Sequence, residues 1–390
     1  MRMKELRQII EKFPKRKGTQ NINQDPIVNE GYPGTFNSSY SEGYWSELFG
    51  PNLEIYDLIV HKIQPCIRFS DFINKILKDT SKIHLSCFDM GDISGAVNFT
   101  SSKNHKRISR ENVNAMLTFL TNLGFKLLDI YITCFPRGNL NEISKLNYGR
   151  ESFNFYIKPD PNIDEFKKFL PKENIILTKK DTFLCIDLEG FNKTLNGYRN
   201  EILFKTNKGM IDIGTMENLY LMPQKENNKI RGYINKGLFS IAGIGLERVL
   251  LCKNNFNHII ECDHIYPLYQ QILKDFKKKD EHGAFIYTES LRSLHRVFSE
   301  NNYRNLSKNR KRKVKKFLQQ IYHISKENIK NYLEINAQLQ DYYPELKKGI
   351  ENTNNEIIGY FERRKSSFLE RKLERKNIRN LGTKQKAVQG

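Results

Sequence analysis

Long apolar runs are missing from this sequence. The best of them, Phe239-Ser-Ile-Ala-Gly-Ile-Gly-Leu246, is only a handful of residues, whereas a helix that crosses a bilayer needs about 20. No membrane-spanning segment is expected. The opening Met1-Arg-Met-Lys-Glu-Leu6 leads into an amphipathic stretch with no apolar centre, so a secretory signal is not expected either and the reading is a cytoplasmic protein. Closely spaced metal ligands are also missing. The six cysteines (Cys66, Cys87, Cys134, Cys185, Cys252, Cys262) form no Cys-x-x-Cys pair, which argues against a structural zinc site or a disulfide framework and for ordinary reduced thiols. The eight histidines contain no His-x-x-x-His pair, which argues against a zinc hydrolase. Any metal is therefore expected to arrive with a substrate. No internal repeat is present.

Negative charge is scarce relative to positive. The 390 residues carry 64 Lys and Arg against 44 Asp and Glu, a net charge of +20. With 38% hydrophobic residues, 25 Phe and 19 Tyr, the chain still has ample apolar side chains for a packed core, which excludes a disordered basic tail. The charge is uneven. Residues 301–390 hold 22 Lys and Arg against 9 Asp and Glu, and residues 1–300 hold 42 against 35. The densest stretch is Ser307-Lys-Asn-Arg-Lys-Arg-Lys-Val-Lys-Lys-Phe317, in which Lys308, Arg310, Lys311, Arg312, Lys313, Lys315 and Lys316 repel one another unless an anionic partner is near. A solvated face or a targeting address is the plainer explanation. Binding to a phosphate backbone is the favoured one, because each neutralised phosphate releases condensed counterions.

Organisation follows from periodicity. Leu6, Ile9, Ile10 and Phe13 lie at helical spacing before Pro14. Residues 19–45, with Pro26, Gly31, Pro33, Gly34 and Gly43, read as a long irregular segment. From about 53 to 265, short β-rich runs (83–89, 127–135, 182–187, 202–205, 218–222 and 238–242) alternate irregularly with helical stretches such as 110–124. That irregularity suits an α+β fold with an antiparallel sheet better than a regular βαβ series. After about 266 the strand signals stop. Ser325 reads as an N-cap ahead of Ile329, Tyr332, Leu333 and Leu339, a stripe broken by Asn336. A second long helix carries Ile350, Ile357, Phe361 and Phe368. The expected domains are 1–265, a helical 266–376, and a polar tail over 377–390.

The most specific string is Ala242-Gly-Ile-Gly-Leu-Glu-Arg-Val-Leu-Leu251, a Gly-x-Gly-x-x-Arg element leaving a strand and entering a helix. The glycines let backbone approach a ligand, the helix start offers N–H groups, and Arg248 can neutralise a phosphate. Arg68, in Pro65-Cys-Ile-Arg-Phe69, precedes the strand that contains Phe88-Asp-Met90. Together the two arginines would let one site grip a triphosphate from two sides.

With these residues in order, the chain resembles the alanyl-tRNA synthetase family, a class II aminoacyl-tRNA synthetase family. Glu5-Leu-Arg-Gln8 through Lys17-Gly18 is similar to the family's opening helix, and Cys66-Ile-Arg68 to its Cys-Val-Arg. Phe88-Asp-Met90 with Ile93, Ser94 and Phe99 resembles the second class motif. Tyr131-Ile-Thr133 and Asn200-Glu-Ile202 match later landmarks. Asn218-Leu-Tyr-Leu-Met222 is similar to Asn-Leu-Val-Phe-Met, and Gly243-Ile-Gly-Leu-Glu-Arg248 to the third class motif. Leu291-Arg-Ser, the basic run at 308–316 and Tyr343-Pro-Glu-Leu346 resemble landmarks of the family's helical tRNA-binding domain.

What the resemblance implies is a six-stranded antiparallel class II sheet flanked by helices, followed by an all-α domain. It also implies ATP with Mg²⁺, an amino acid and tRNA or another RNA as partners, and it allows a homodimer. Attack of a carboxylate on the α-phosphate would give an aminoacyl adenylate, which is chemistry of positioning and charge neutralisation. By matching position, Arg68 would hold the α-phosphate and the carboxylate and Arg248 the γ-phosphate. His84, Asp89, Met90 and Gly245 would complete the ATP site. Leu184, Asn218, Ile241 and Gly243 would line the amino-acid pocket, and the seven cations of 308–316 would meet tRNA.

The chain departs from the family in places. Ile241 stands where the family has an Asp that pairs with the substrate ammonium, and a buried ammonium without a counter-charge costs several kcal/mol. Either another carboxylate has taken over or the substrate lacks that ammonium. Leu184 replaces a pocket Trp, the glycine- and cysteine-rich loop has shrunk to Leu195-Asn-Gly-Tyr-Arg-Asn200, and no editing domain is expected. Three readings follow: an alanyl-type ligase that charges tRNA, an adenylate-forming paralogue that acylates a small molecule, peptide or carrier, and a non-catalytic tRNA-binding protein.

Overall fold

The computed structural model describes residues 1–28, 36–38, 57–143, 156–188, 193–226, 229–276, 280–322 and 328–366. The chain divides into two compact units, Met1–Asp263 and His264–Gly390.

The first unit is built on three long strands, β11 (Lys193–Thr206), β12 (Gly209–Glu226) and β13 (Lys229–Gly245). The hairpin between β11 and β12 closes through Gly209, whose φ of +114° only glycine adopts readily. Shorter strands divide the edges of these three. β5 (Ala96–Phe99) pairs β13 at Leu238–Ser240, and β4 (Cys87–Asp92) pairs it further on at Gly243–Gly245. β3 (Ile63–Ile67) adds to β4, and β2 (Leu58–His61) with β1 (Gln20–Asn21) adds to β5. On the other side, β10 (Phe183–Leu188) takes one end of β11 while β6 (Ile130–Cys134), followed by β9 (Ile175–Leu177), takes the other. The sheet thus holds eleven described strands, not six, because short strands share the edges of long ones. All its pairings are antiparallel except β1 with β2 and β6 with β9. β7 (Gly138–Asn139) and β8 (Tyr156–Ile157) form a separate ribbon.

Side chains alternate between two faces along each strand. Helix α2 (His105–Asn122) covers one face with Ile108, Val113, Met116, Leu117 and Leu120, and Ile108 packs among Val97, Phe135, Phe183, Tyr198 and Leu238. A polar seam crosses this core. Asn112 accepts from Ser94 Oγ (2.8 Å) and donates to Ser240 Oγ (2.7 Å), and Ser240 donates to Asn218 Oδ1 (2.5 Å). Helix α1 (Met3–Lys12) buries Met3, Leu6 and Ile10 as its spacing predicts. Helix α3 (Leu246–Lys253) follows β13 without a break. The strand expected at 83–89 begins only at Cys87. Its earlier residues form a turn held by Ser81 Oγ and His84 Nδ1 at 2.5 Å.

The second unit is helical: α4 (Tyr266–Asp275), α5 (Glu281–Phe298), α6 (Lys308–Ile321), α7 (Ile329–Leu339), α8 (Pro344–Lys348) and α9 over residues 350–366. No helix among the described residues is long and apolar enough to cross a membrane. Ser325, Phe368, the tail at 377–390 and most of the irregular segment at 19–45 lie outside the described residues. The break in the α7 stripe has a structural reason. Asn336 is buried with Tyr332 and Leu333, where its amide donates to His295 Nδ1 (2.9 Å) while its oxygen accepts from Gln340 (2.7 Å). His295 Nε2 donates to the Leu346 carbonyl (2.9 Å). Beside it, Arg296 binds Glu345 (2.9 Å) and Gln340 (3.0 Å) and lies 3.8 Å from the centre of the Tyr343 ring. Tyr343-Pro-Glu-Leu346 is thereby stapled onto α5.

Both nitrogens of His295 are committed in the neutral form, and burial, reinforced by the charge of Arg296, pushes it down to about 3. The unfolded chain takes up this proton below pH 6.5 and the folded chain does not until about pH 3, so stability is full above 6.5 and is lost as pH falls toward 3. Melting of the full chain between pH 7 and 4 should show this loss, with a shallower slope for His295→Gln. An equal slope in parent and variant would remove His295 from the account.

Candidate active site

β13 runs straight through Gly243 and Gly245, and α3 begins at the next residue. A Cβ added at Gly243 would come no nearer than 3.7 Å to another atom, and one at Gly245 would meet nothing within 4 Å. Neither glycine is needed for packing. They leave this part of the face turned away from α2 as bare backbone, on which a flat ligand can lie closely. Around it opens a cleft. Phe88 and Met90 of β4, with Ile83 and Leu85 from the preceding turn, make an apolar wall, while Arg68 and Arg248 supply cations.

Arg68 caps the end of β3. Its guanidinium lies 5.0 Å from the centre of the Phe88 ring, donates to the Ser38 carbonyl (3.0 Å) and faces Asp71 at 3.6 Å. Arg248 stands on the first turn of α3 and pairs with Asp212 at 2.7 Å. Both pairs are partly solvated, and such pairs are worth about 0–1 kcal/mol. A polyphosphate brings more charge than either carboxylate and can displace both. The fields of the two arginines reach the same neighbours: both lower the affinity of Asp71 for its proton, although burial dominates and raises it. Burial, then Arg248, Lys75 and Arg68, push His84 down to about 4, so its ring is neutral at physiological pH.

The cleft face also holds a row of charge that sequence reading did not single out. Arg199 on β11 pairs with Glu201 (2.6 Å) and approaches Glu217 of β12 (3.7 Å). Register places Arg199, Glu217 and Ile241 side by side across β11, β12 and β13. Burial, then the charge of Asp212, raises Glu201, and burial raises Glu217 against the pull of Arg199. The available signal was the period of two. With Gly243 and Gly245 on the cleft face, Ile241 shares that face, and its cross-strand partners must share it too.

The same alternation sorts the residues named from sequence. Arg68, Met90, Gly245 and Arg248 line the cleft. Gly243 and Ile241 lie on its face, and Leu184, paired with Gly197, lies on the face of Arg199. Asp89 points the other way, where its carboxylate binds Arg7 (2.8 Å) and its N–H donates to Glu247 (3.0 Å). Asn218 faces α2 through its bond with Ser240, so the side chain of β12 that stands beside Ile241 is Glu217. His84 flanks the cleft wall, between Ile83 and Leu85. In the second unit, α6 turns Arg310 inward with Val314, Phe317, Leu318 and Ile321 and exposes Lys308, Arg312, Lys315 and Lys316 as one stripe. Lys311 folds back onto the Arg304 carbonyl (2.7 Å). Among the described residues no group of three His, Cys, Asp or Glu is placed to hold a metal ion.

No family model matches the chain, and no curated protein matches it. Solved structures do match. One is the crystal structure of pyrrolysyl-tRNA synthetase from Desulfitobacterium hafniense, with a TM-score of 0.30 and 11% identity over 67% of this chain and 72% of that one. A likeness of that degree assigns no activity and no residue role here.

Because the Arg248–Asp212 pair is half-solvated, Arg248→Ala should leave the melting temperature within a few degrees of the parent. Its affinity for ATP with Mg²⁺, measured by calorimetry, should fall by about tenfold or more, as expected for losing a charge-assisted contact of roughly 1.5–3 kcal/mol. Unchanged affinity would take Arg248 out of the site.

Proposed function

We propose that the first unit is an adenylate-forming ligase on a class II synthetase-like sheet. In this reading it activates an amino acid with ATP and passes the acyl group to a tRNA gripped by the second unit. The observation that carries the reading is the cleft itself. Two arginines from separate elements, one at the end of β3 and one at the start of α3, border a strip of glycine backbone with an aromatic wall. That is what a bent nucleoside triphosphate requires: a flat surface for the base and a cation near each end of the phosphates. The ordered motif resemblance to alanyl-tRNA synthetases supports the same assignment, as does the basic stripe of α6.

The chemistry needs no protein nucleophile. A carboxylate oxygen of the acid attacks the α-phosphorus of ATP, supplied as its magnesium complex, the bond to the β-phosphate oxygen breaks and pyrophosphate leaves. Arg68 would steady the α-phosphate and the incoming carboxylate, and Arg248 the γ-phosphate, so their task is positioning and neutralisation. The register also bears on the ammonium. Ile241 cannot pair with one, but Glu217 lies directly across the strand from it in a buried position. This supports an α-amino acid as substrate, with Glu217 in the role of counter-charge.

Pyrophosphate exchange across the twenty amino acids and several amine-free acids, with and without bulk tRNA, tests the reading. Exchange with one amino acid is expected, and Glu217→Gln should raise its KM at least tenfold with a smaller effect on kcat. Exchange with amine-free acids alone would transfer the role to an acyl-activating paralogue. Silence with every acid would end the adenylation proposal. Reversing Lys308, Arg312, Lys315 and Lys316 to Glu should abolish tRNA binding and spare exchange, and undiminished binding would separate α6 from tRNA.

A further inference from the structure

A second, larger cavity, with a volume of about 450 Å³, lies in the first unit. Tyr198 lines it, whereas its neighbour Arg199 lines the cleft described above. Successive residues of one strand point to opposite faces, so the two cavities lie on opposite faces of the sheet and this one is not an extension of the other. It is independent of the adenylation reading.

Its lining has a particular chemistry. Lys106 and Lys158 are exposed at it, His105 joins them, and no Asp or Glu is among the described lining residues. Three tyrosines supply aromatic wall: Tyr198 and Tyr220, both buried, and Tyr156, which is 57% exposed. The His105 ring stacks on that of Tyr220 with centres 4.5 Å apart and planes 18° from parallel. The Tyr198 hydroxyl donates to the Lys158 carbonyl (3.0 Å), which fixes the backbone that carries this lysine. His105 and Lys106 open α2, whose first turn has no acidic residue, so the helix adds partial positive charge there. The buried carboxyl of Asp160, two residues beyond Lys158, accepts from Asn162 and Asn200, and burial raises it to about 6. The exposed ring of Tyr156 beside two lysines, with no carboxylate among the described lining residues, suits a planar, anionic ligand.

We propose that this cavity binds an unpaired nucleotide, with the base stacked against Tyr156 and the phosphate held by Lys106 and Lys158. The nucleotide comes either free or as part of a single strand of RNA. Both present the same chemistry, a π face and a phosphate, and base-on-aromatic stacking is tolerant of sequence.

The test uses the full chain carrying Lys308→Glu, Arg312→Glu, Lys315→Glu and Lys316→Glu, so that the stripe on α6 does not contribute. Free AMP and a short fluorescent single-stranded RNA are titrated separately by calorimetry and anisotropy, and UV cross-links are mapped by mass spectrometry. Cross-links are expected in the peptides around 105–106, 156–158 and 220. Lys106→Glu with Lys158→Glu should weaken binding at least tenfold, and Tyr156→Ala should do so by a similar factor without changing the charge. Arg248→Ala, in the other cavity, should leave these cross-links in place. Binding of AMP alone identifies a free nucleotide, and binding of RNA alone identifies a strand. Absence of both, cross-links confined to the other cavity, or lysine and Tyr156 variants that bind like the parent would overturn the proposal.

Discussion

The two-residue period of β11, β12 and β13 is the constraint on which the first unit depends. β11 and β13 are long enough that the outer edge of each serves two short strands, with β12 between them, and every residue along the three is committed to one face or the other. A shift of one position would exchange the faces. Tyr198, Asn218 and Ser240 would then leave the core under α2, and Arg199, Glu217 and Ile241 would enter it. The polar seam through Asn112 guards against that slip: its hydrogen bonds to Ser94 and Ser240 exist in one register only, and each buried donor left without a partner would cost about 1–3 kcal/mol.

The charges on the two faces serve different ends. On the covered face, the seam from Ser94 through Asn112 and Ser240 to Asn218 ties elements to one another. On the open face the carboxylates of Glu201 and Glu217 are disfavoured as anions by burial and share one guanidinium between them. Arg68 and Arg248 each face a carboxylate that keeps some contact with water, Asp71 and Asp212. The cleft therefore combines one guanidinium flanked by two carboxylates with two others, at Arg68 and Arg248, whose partly solvated partners a phosphate can replace.

Much of this was legible in the sequence. The helical spacing of Leu6, Ile9 and Ile10 gave α1, the glycines before Leu246 marked the strand-to-helix junction, and loss of β signals marked the helical unit. What sequence reading missed was facing. Asp89 and Asn218 were placed in the site because they fall within motif strings, yet each points away from the cleft, since a string does not say which of two neighbours faces which side. The Arg199-x-Glu201 pair went unremarked because its meaning arises only from the strand beside it. Asn336 looked like a flaw in a stripe until His295 and Gln340, distant in sequence, turned out to need its amide. Arg310 stood among six other cations with nothing local to show that it turns inward.

Helix α6 carries a further consequence. Its first two turns hold Lys308, Arg310, Lys311, Arg312 and Lys313 and no acid, so cations crowd the end of the helix that is already positive. Ser307 caps it, its hydroxyl accepting from the Arg310 N–H (3.4 Å). Dissolved salt therefore acts on this helix in two opposite senses. By screening the cations from one another and from the helix dipole it relaxes the free protein, and by screening them from phosphates it loosens the complex. Ionic strength then sets whether α6 is held together by its surroundings or by its ligand.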